Sequence, residues 1–129
     1  MVHAFVPQHP IELAEYLKKQ EFSDKNYDLQ YIHRTIVNRT YLCTYLHAQE
    51  WIINNGHYYD VKDYSKKYVG YHVAILIALE KLNRHHISEI YDEFIKLRVD
   101  ADYNIVTIIT SKDAQKALDL ADEICTALQ

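Results

Sequence analysis

The stretch DLQYIHRTIVNRTYLCTYLHAQEWIINN, residues 28–55, decides the fold of this chain. Apolar residues recur along it every three or four positions, which is the repeat of an α-helix with one face turned towards a core. Two such series run side by side, a pattern typical of a helix that is buried on more than one side. They consist of Leu29, Ile32, Ile36, Thr40, Cys43, Leu46 and Ile53, and of Tyr41, Tyr45, Ala48 and Trp51. Asn54-Asn55-Gly56 then gives a stop signal.

Further helices are predicted on both sides of this long one. Each has apolar residues at helical spacing, and polar connections separate them. In chain order, the predicted segments are a short helix from Pro10 over IELAEYLKKQ, a polar connection at 21–27, a tyrosine-rich polar loop at 57–69, a helix beginning near Gly70, and a helix from Ser88 to Arg98 with its boundary at His86 to Ser88.

The last helix has the clearest start signal. Thr110 or Ser111 stands at the cap position and Asp113 lies in the first turn, and an apolar face follows from Ala114 to Leu128. The stretch before it, YNIVTIIT from Tyr103 to Thr110, has the composition of a strand but no evident partner. We interpret it as an extended connection that packs on the helices.

The composition favours one all-α domain over residues 1–129. The chain has only two glycines and two prolines, too few for the frequent turns of an all-β fold. Apolar residues make up 49% and charged residues 25%, a globular balance at a one-domain length. We therefore predict an antiparallel bundle of four to five helices.

Charge and motifs exclude several classes of function. A net charge of −4 argues against a general nucleic-acid coat, which needs many cationic contacts to phosphates. The N-terminus has no signal-peptide pattern and no apolar run is long enough to cross a membrane, so we expect a cytoplasmic protein without a membrane partner. The two cysteines, Cys43 and Cys125, fit buried thiols in a reducing compartment.

Metal and cofactor motifs are also missing from the sequence. The eight histidines include no His-x3-His or H-E-x-x-H pattern, and the cysteines do not have zinc spacing. Two glycines in total exclude phosphate-binding and dinucleotide-binding loops. We therefore predict neither a metal site nor a cofactor.

Two arginines and the tyrosines are the candidates for chemistry. Arg39 lies in the middle of the long helix, where a buried guanidinium would need a partner. Arg98 and Asp102 are spaced to pair on one helix face, and Asp100 or Asp102 could instead pair with Arg39. Twelve tyrosines are many for this length, which fits a wet interface or a base-stacking groove as well as an ordinary boundary layer.

Four segments in series resemble the HEPN superfamily, with the small stand-alone bacterial and archaeal HEPN proteins as the nearest pattern. They are VNRTYLCTYLHAQEWI (37–52), GYHVAILIALEKL (70–82), KLRVDADY (96–103) and SKDAQKALDLADEICTAL (111–128). The resemblance implies a helical bundle that forms a homodimer with a cleft at its interface. It also implies a toxin–antitoxin or defence setting, a nucleotidyltransferase-like antitoxin as partner, and RNA or a nucleotide as ligand.

Many HEPN proteins are metal-independent endoribonucleases whose signature is an arginine, four to six residues and a histidine. Histidine would move the proton of the ribose 2′-OH while arginine stabilises the charged phosphorane. No arginine here has a histidine at that spacing, and Tyr103 stands where Arg98 would need it. Tyrosine, with an ordinary pKa near 10, is a poor base at neutral pH. A substitute histidine would come from another helix, with His72 and His47 as candidates.

Three hypotheses follow for function. The first is a degenerate HEPN module that binds RNA, a nucleotide or a partner protein, with Arg39, Tyr41, His47, His72 and Asp102 as binding residues. The second is an active endoribonuclease toxin with Arg98 and Tyr103 as catalytic residues. The third is a structural helical adaptor in which the arginines only connect the helices.

Overall fold

The computed structural model describes residues 29–55 and 70–129, apart from the side chain of Tyr71. The predicted helix after Pro10, the connection at 21–27, the stop at Gly56 and the loop at 57–69 lie outside the described residues. Within them the chain forms α1 (Leu29–Asn54), α2 (Gly70–Lys81), α3 (His85–Tyr103) and α4 (Ser111–Ala127). This part of the chain contains helices and no strand, so the predicted all-α bundle is confirmed.

The core lies where α1 packs against α3 and α4, with α2 closing the side next to α3. Three aromatic residues form its centre: Tyr41 of α1, and Tyr91 and Phe94 of α3, all fully buried. The rings of Tyr41 and Phe94 meet edge to face with their centroids 5.3 Å apart, a favourable geometry for an aromatic pair. Small residues of α4, including Ala114, Ala117 and Ala121, let that helix approach closely.

Two details of the sequence prediction were wrong. Helix α3 begins at His85, one residue before the predicted boundary at His86 to Ser88, and Ser88 is buried and donates a hydrogen bond to the Leu76 carbonyl at 3.3 Å. It also extends beyond Arg98 to Tyr103. In α1, Leu29, Leu46 and Ile53 are partly exposed, because the buried face of this long helix follows a slightly different line from the apolar series.

The turn between α2 and α3 is a Schellman motif built on Asn83. The amide of Arg84 donates to the Leu79 carbonyl at 2.9 Å and that of Asn83 to the Glu80 carbonyl at 3.1 Å. Asn83 takes a left-handed backbone conformation with φ of 59°, which asparagine tolerates better than most residues. This tight turn makes α2 and α3 antiparallel neighbours.

The α4 start signal is confirmed. The side chain of Thr110 accepts from the Asp113 amide, and the Asp113 carboxylate accepts from the Thr110 amide at 2.8 Å. The connection before it differs from the predicted extended segment, because Tyr103 belongs to α3 and a turn follows at Ile105 and Val106. Ile105, Val106 and Ile108 are exposed rather than packed on the helices. The part that does pack is held by a side chain of α1. The Gln30 amide group accepts from the Ile109 N–H at 2.9 Å and donates to the Ile109 carbonyl at 2.6 Å, as a neighbouring strand would.

Arg34 of α1 holds the end of α3. Its Nη1 donates to the carbonyls of Asp100 and Ala101 at 3.1 and 3.0 Å. Its Nη2 donates to the Asn104 carbonyl at 3.0 Å and to the Thr107 carbonyl. A cation is favoured at a helix C-terminus by the helix dipole and by the unpaired carbonyls there.

We expect Asn83→Ala to lower the free energy of unfolding by about 1 kcal/mol, because a Cβ is strained in the left-handed region. Asn83→Gly should keep or raise it, since glycine adopts this conformation without strain. Urea unfolding of the two variants checks this, and equal midpoints for the two would contradict the role of the turn.

Arg34→Met is expected to cost about 2 to 3 kcal/mol of unfolding free energy, because the carbonyls at the end of α3 lose a charged donor. Arg39→Met is the matched control. It changes an exposed arginine of the same helix and should stay within about 0.5 kcal/mol of the unmodified chain. Similar losses in both variants would show that Arg34 does not anchor α3.

Candidate functional site

Arg98 is the centre of the candidate site. It lies in α3 between two tyrosine rings, with its guanidinium carbon 5.4 Å from the Tyr41 centroid and 5.3 Å from the Tyr103 centroid. Its Nε is 2.8 Å from Asp102 Oδ2, an ion pair whose N–H direction does not meet the angle of a hydrogen bond. The predicted pairing of Arg98 with Asp102 one helical turn away is therefore confirmed.

Asp102 is held from the other side by α1. The Asn38 amide nitrogen lies 3.0 Å from each carboxylate oxygen of Asp102. Both Arg98 and Asp102 are largely buried, so their attraction is screened less than that of a surface pair. Asn38, Asp102 and Arg98 thus form one network that joins the middle of α1 to the last turn of α3.

His72 of α2 reaches the same site through a chain of hydroxyl groups. Its Nδ1 is hydrogen-bonded to the Tyr41 hydroxyl, which lies 3.3 Å from the hydroxyl of Tyr91. The ring of Tyr45 packs on His72 with centroids 5.0 Å apart. Burial, and secondarily the charge of Arg98, lowers the pKa of His72 below its ordinary value, so the imidazole is neutral at pH 7.

The donor and acceptor roles in this series of hydrogen bonds follow from Tyr91. Its hydroxyl is fully buried, and Tyr41 is its hydrogen-bond partner among the described residues, so its proton has only that oxygen to go to. Tyr41 must then donate its own proton to Nδ1 of His72, because otherwise a buried O–H would be unpaired. In the neutral ring the proton therefore resides on Nε2, and His72 offers a donor.

A cavity of about 420 Å³ lies over these groups. It is lined by Asn38, Tyr41, Leu42, Tyr45, Gly70, His72 and Arg98. Gly70, which has φ of 84°, is the first residue of α2 and lines the cavity, so the N-terminal end of that helix, where its dipole is positive, lies beside the cavity. Burial raises the pKa of Tyr41 to about 12, and its hydroxyl stays protonated.

The structure brings five of the seven predicted site residues together: Arg98, Tyr103, Tyr41, His72 and Asp102. Tyr103 is 68% exposed at the rim, with its hydroxyl 3.5 Å from Arg98 Nη2. Of the two histidines considered as substitutes, His72 lines the cavity. His47 is bonded through Nε2 to the Leu128 carbonyl at 2.7 Å and does not line the cavity.

The prediction for Arg39 was wrong in its main premise. Its side chain is exposed, and it borders a neighbouring cavity of about 330 Å³ together with Tyr31, Thr35 and Asp102. The half-buried, fully paired guanidinium of α1 belongs to Arg34, five residues earlier, whose partners are carbonyls. Five residues rotate a helix by about 140°, so Arg34 reaches the end of α3 while Arg39 stays exposed, although both border this cavity.

Asn38, Tyr45 and Tyr91 were missed as site residues. Asn38 lies one helical turn before Tyr41, and a polar residue at that spacing on an apolar helix was an available signal. Tyr91 gave no such signal, because a tyrosine on the buried face of α3 looks like ordinary core until its hydroxyl partner is known.

Other chemistry receives no support from the described residues. They contain no group of three or more histidine, cysteine or acidic side chains placed to hold a metal ion. Burial raises the pKa of Cys43, and that of Cys125 to about 11, so neither thiol is activated as a nucleophile. None of the described helices is long and apolar enough to span a membrane.

Comparisons with known proteins do not suggest a function for this chain, so its function is inferred from its own residues. No family model, curated protein or solved structure matches this chain. The HEPN resemblance stays a prediction that depends on four sequence segments.

The charge of Arg98 should be measurable at His72. In Arg98→Gln the pKa of His72 is expected to rise, without reaching 6.5, because burial is the larger cause of its depression. Arg84→Gln, which removes a cation stacked on Trp51, is the control and should leave it unchanged. NMR titration of the ring signals, assigned by their loss in His72→Gln, gives the values.

The same depression makes stability depend on pH. The unfolded chain binds a proton at this histidine near pH 6.5, while the folded chain binds it only at lower pH. The contribution of His72 is therefore present above pH 6.5 and lost as the pH falls through the folded pKa. A pKa of His72 at or above 6.5 in the unmodified protein would refute this.

Proposed function

We propose that this protein is a dimeric HEPN-like module that binds RNA or a nucleotide at the Arg98 cavity without cleaving it. The observation that carries the proposal is the hydroxyl chain from Tyr91 through Tyr41 to His72. It occupies the acceptor nitrogen of His72 and leaves an N–H donor, so the histidine suits the binding of a phosphate better than the removal of a proton.

The donors around the cavity fit an anionic ligand. Arg98 has five N–H groups. Among the described residues, its Nε pairs with Asp102 and its Nη2 contacts the Tyr103 hydroxyl, so further N–H groups are available to a ligand. His72 Nε2 has no hydrogen-bond partner among the described residues. The first turn of α2 adds backbone amides and the positive end of a helix dipole. A phosphate group satisfies all three kinds of donor.

Aromatic rings beside these donors fit a nucleotide rather than a bare anion. Tyr45 lines the cavity and Tyr103 is largely exposed at its rim. Proteins that recognise unpaired bases stack them on such rings and on arginine planes. Because net charge is −4, binding through this one site is favoured over a wide electrostatic surface.

Cleavage would require reversing the hydroxyl chain. For Nε2 of His72 to accept a proton, Nδ1 would have to donate to Tyr41, and Tyr41 to Tyr91. The Tyr91 proton would then be left in the core without a described acceptor, at a cost of about 1 to 3 kcal/mol. Tyr41 offers no alternative base, because burial raises its pKa to about 12.

The second candidate is the metal-independent endoribonuclease. One observation favours it: Arg98 Nη2 and the Tyr103 hydroxyl lie 3.5 Å apart, so the two residues predicted as catalytic are neighbours. The HEPN resemblance also suggests a toxin–antitoxin setting with a nucleotidyltransferase-like antitoxin as protein partner. Both belong to this proposal, whichever of the two candidates holds.

A labelled RNA pool, incubated with the purified protein in the absence of metal, tests both candidates at once. We expect bound and intact RNA, with affinity reduced at least tenfold in Arg98→Ala and in His72→Ala, because each removes a donor to phosphate. Arg84→Ala, an arginine outside the cavity, should bind like the unmodified chain. Thermal unfolding of each variant separates loss of the site from loss of the fold.

Each alternative has its own outcome. Cleavage that disappears in Arg98→Ala and Tyr103→Phe would establish the nuclease and refute the binding-only proposal. RNA and mononucleotides that neither bind nor react at high protein concentration would leave the Arg98–Asp102–Asn38 network a structural one.

A further inference from the structure

The turn that follows α3 exposes apolar side chains where turns normally carry polar ones. Thr107 donates its amide to the Asn104 carbonyl at 3.3 Å, which closes a β-turn with Ile105 and Val106 at its tip. Ile105 is 90% exposed and Val106 is 87% exposed. Glycine, asparagine, aspartate, serine and proline dominate such positions for conformational reasons, so two β-branched residues here need another explanation.

The turn is rigidly anchored in spite of this exposure. Arg34 donates to the carbonyls of both its ends, Asn104 and Thr107, and Gln30 holds Ile109 just beyond it. The tip residues have negative φ, since Asn83 is the described non-glycine residue with positive φ. A fixed apolar tip loses little conformational entropy when a partner covers it.

Two more exposed apolar residues lie beside the tip. Ile108 is 72% exposed and Tyr31 of α1 is 67% exposed. Together with Ile105 they line a cavity of about 420 Å³ whose polar walls include Gln30 and Asp102. We call Tyr31, Ile105, Val106 and Ile108 the apolar patch. It exposes on the order of 600 Å², the upper end for a monomer's largest apolar patch.

We infer that the apolar patch is a two-fold interface with a second copy of this chain, in which the tip of each turn enters the cavity beside the other. This deepens the proposed function by naming the surface of the homodimer. The projecting tip and the receiving cavity share one face of the protein, as a closed two-fold contact requires. Were they on different faces, the same contact would build open chains of molecules.

The area fits the same partner. A stable interface buries about 800 Å² on each side, and the apolar patch supplies most of that amount. The backbone amides of Ile105, Val106 and Ile108 have no partner among the described residues. Covering the patch with an equivalent segment gives them carbonyl acceptors as well as apolar contacts.

Sedimentation velocity of the full chain, from low micromolar to several hundred micromolar, tests the inference. We expect a concentration-dependent dimer, with its dissociation constant raised at least tenfold in Ile105→Asp/Val106→Asp and in the uncharged Ile105→Asn/Val106→Ser. The second variant excludes simple charge repulsion, and polar residues suit a turn, so the fold should persist. Ile53→Asp, a partly exposed residue near the other end of α1, is the matched control and should dimerise normally.

Hydrogen exchange at two protein concentrations adds a local readout, in which the amides of 105, 106 and 108 should slow as the dimer forms. A chain that stays monomeric at all concentrations overturns the inference. It does so whichever other occupant covers the patch: residues 1–28, RNA or another protein. A dimer that tolerates both turn variants also overturns it. RNA binding measured in parallel separates this failure from that of the proposed function, since Arg98 and His72 lie outside the patch.

Discussion

The interaction on which the rest of the described structure depends is the binding of the Arg34 guanidinium to four carbonyls at the end of α3. It fixes the last turn of α3 against the N-terminal part of α1, and that turn carries Asp102 and Tyr103. It also fixes both ends of the turn at residues 104–107. The candidate ligand site and the apolar patch are thus two consequences of one anchored helix end, because a charged donor among several carbonyls allows little movement.

The second constraint is that buried hydroxyl groups must be paired. Tyr91 lies in the core and shares its proton with Tyr41, which leaves Tyr41 to donate to His72. This sets the tautomer of a histidine at the surface from a group in the interior. It also separates two kinds of chemistry, since a histidine that offers an N–H suits the holding of a phosphate, while one that offers a lone pair suits proton removal.

Much of the fold could be predicted from the sequence, and less of the site. The Thr110–Asp113 cap and the Arg98–Asp102 pair were local patterns within five residues of each other. The start of α3 was misplaced because Ser88 resembles a cap, whereas its hydroxyl serves the Leu76 carbonyl instead. Arg39 was chosen over Arg34 because both stand between apolar series, and periodicity alone does not fix which side of a helix is covered.

The sequence by itself determined what depends on near neighbours: the helical class, the cap at the start of α4 and the ion pair one turn apart. The tertiary structure alone decided that Arg34 binds the end of α3 while Arg39 is exposed, that His72 rather than His47 lines the cavity with Arg98, and that Ile105 and Val106 stay exposed. These outcomes depend on contacts between residues 31 to 73 positions apart. Such contacts form only when the helices pack. Hydrogen-bond partners far apart in the sequence leave no periodic pattern in either segment, so the sequence does not reveal them.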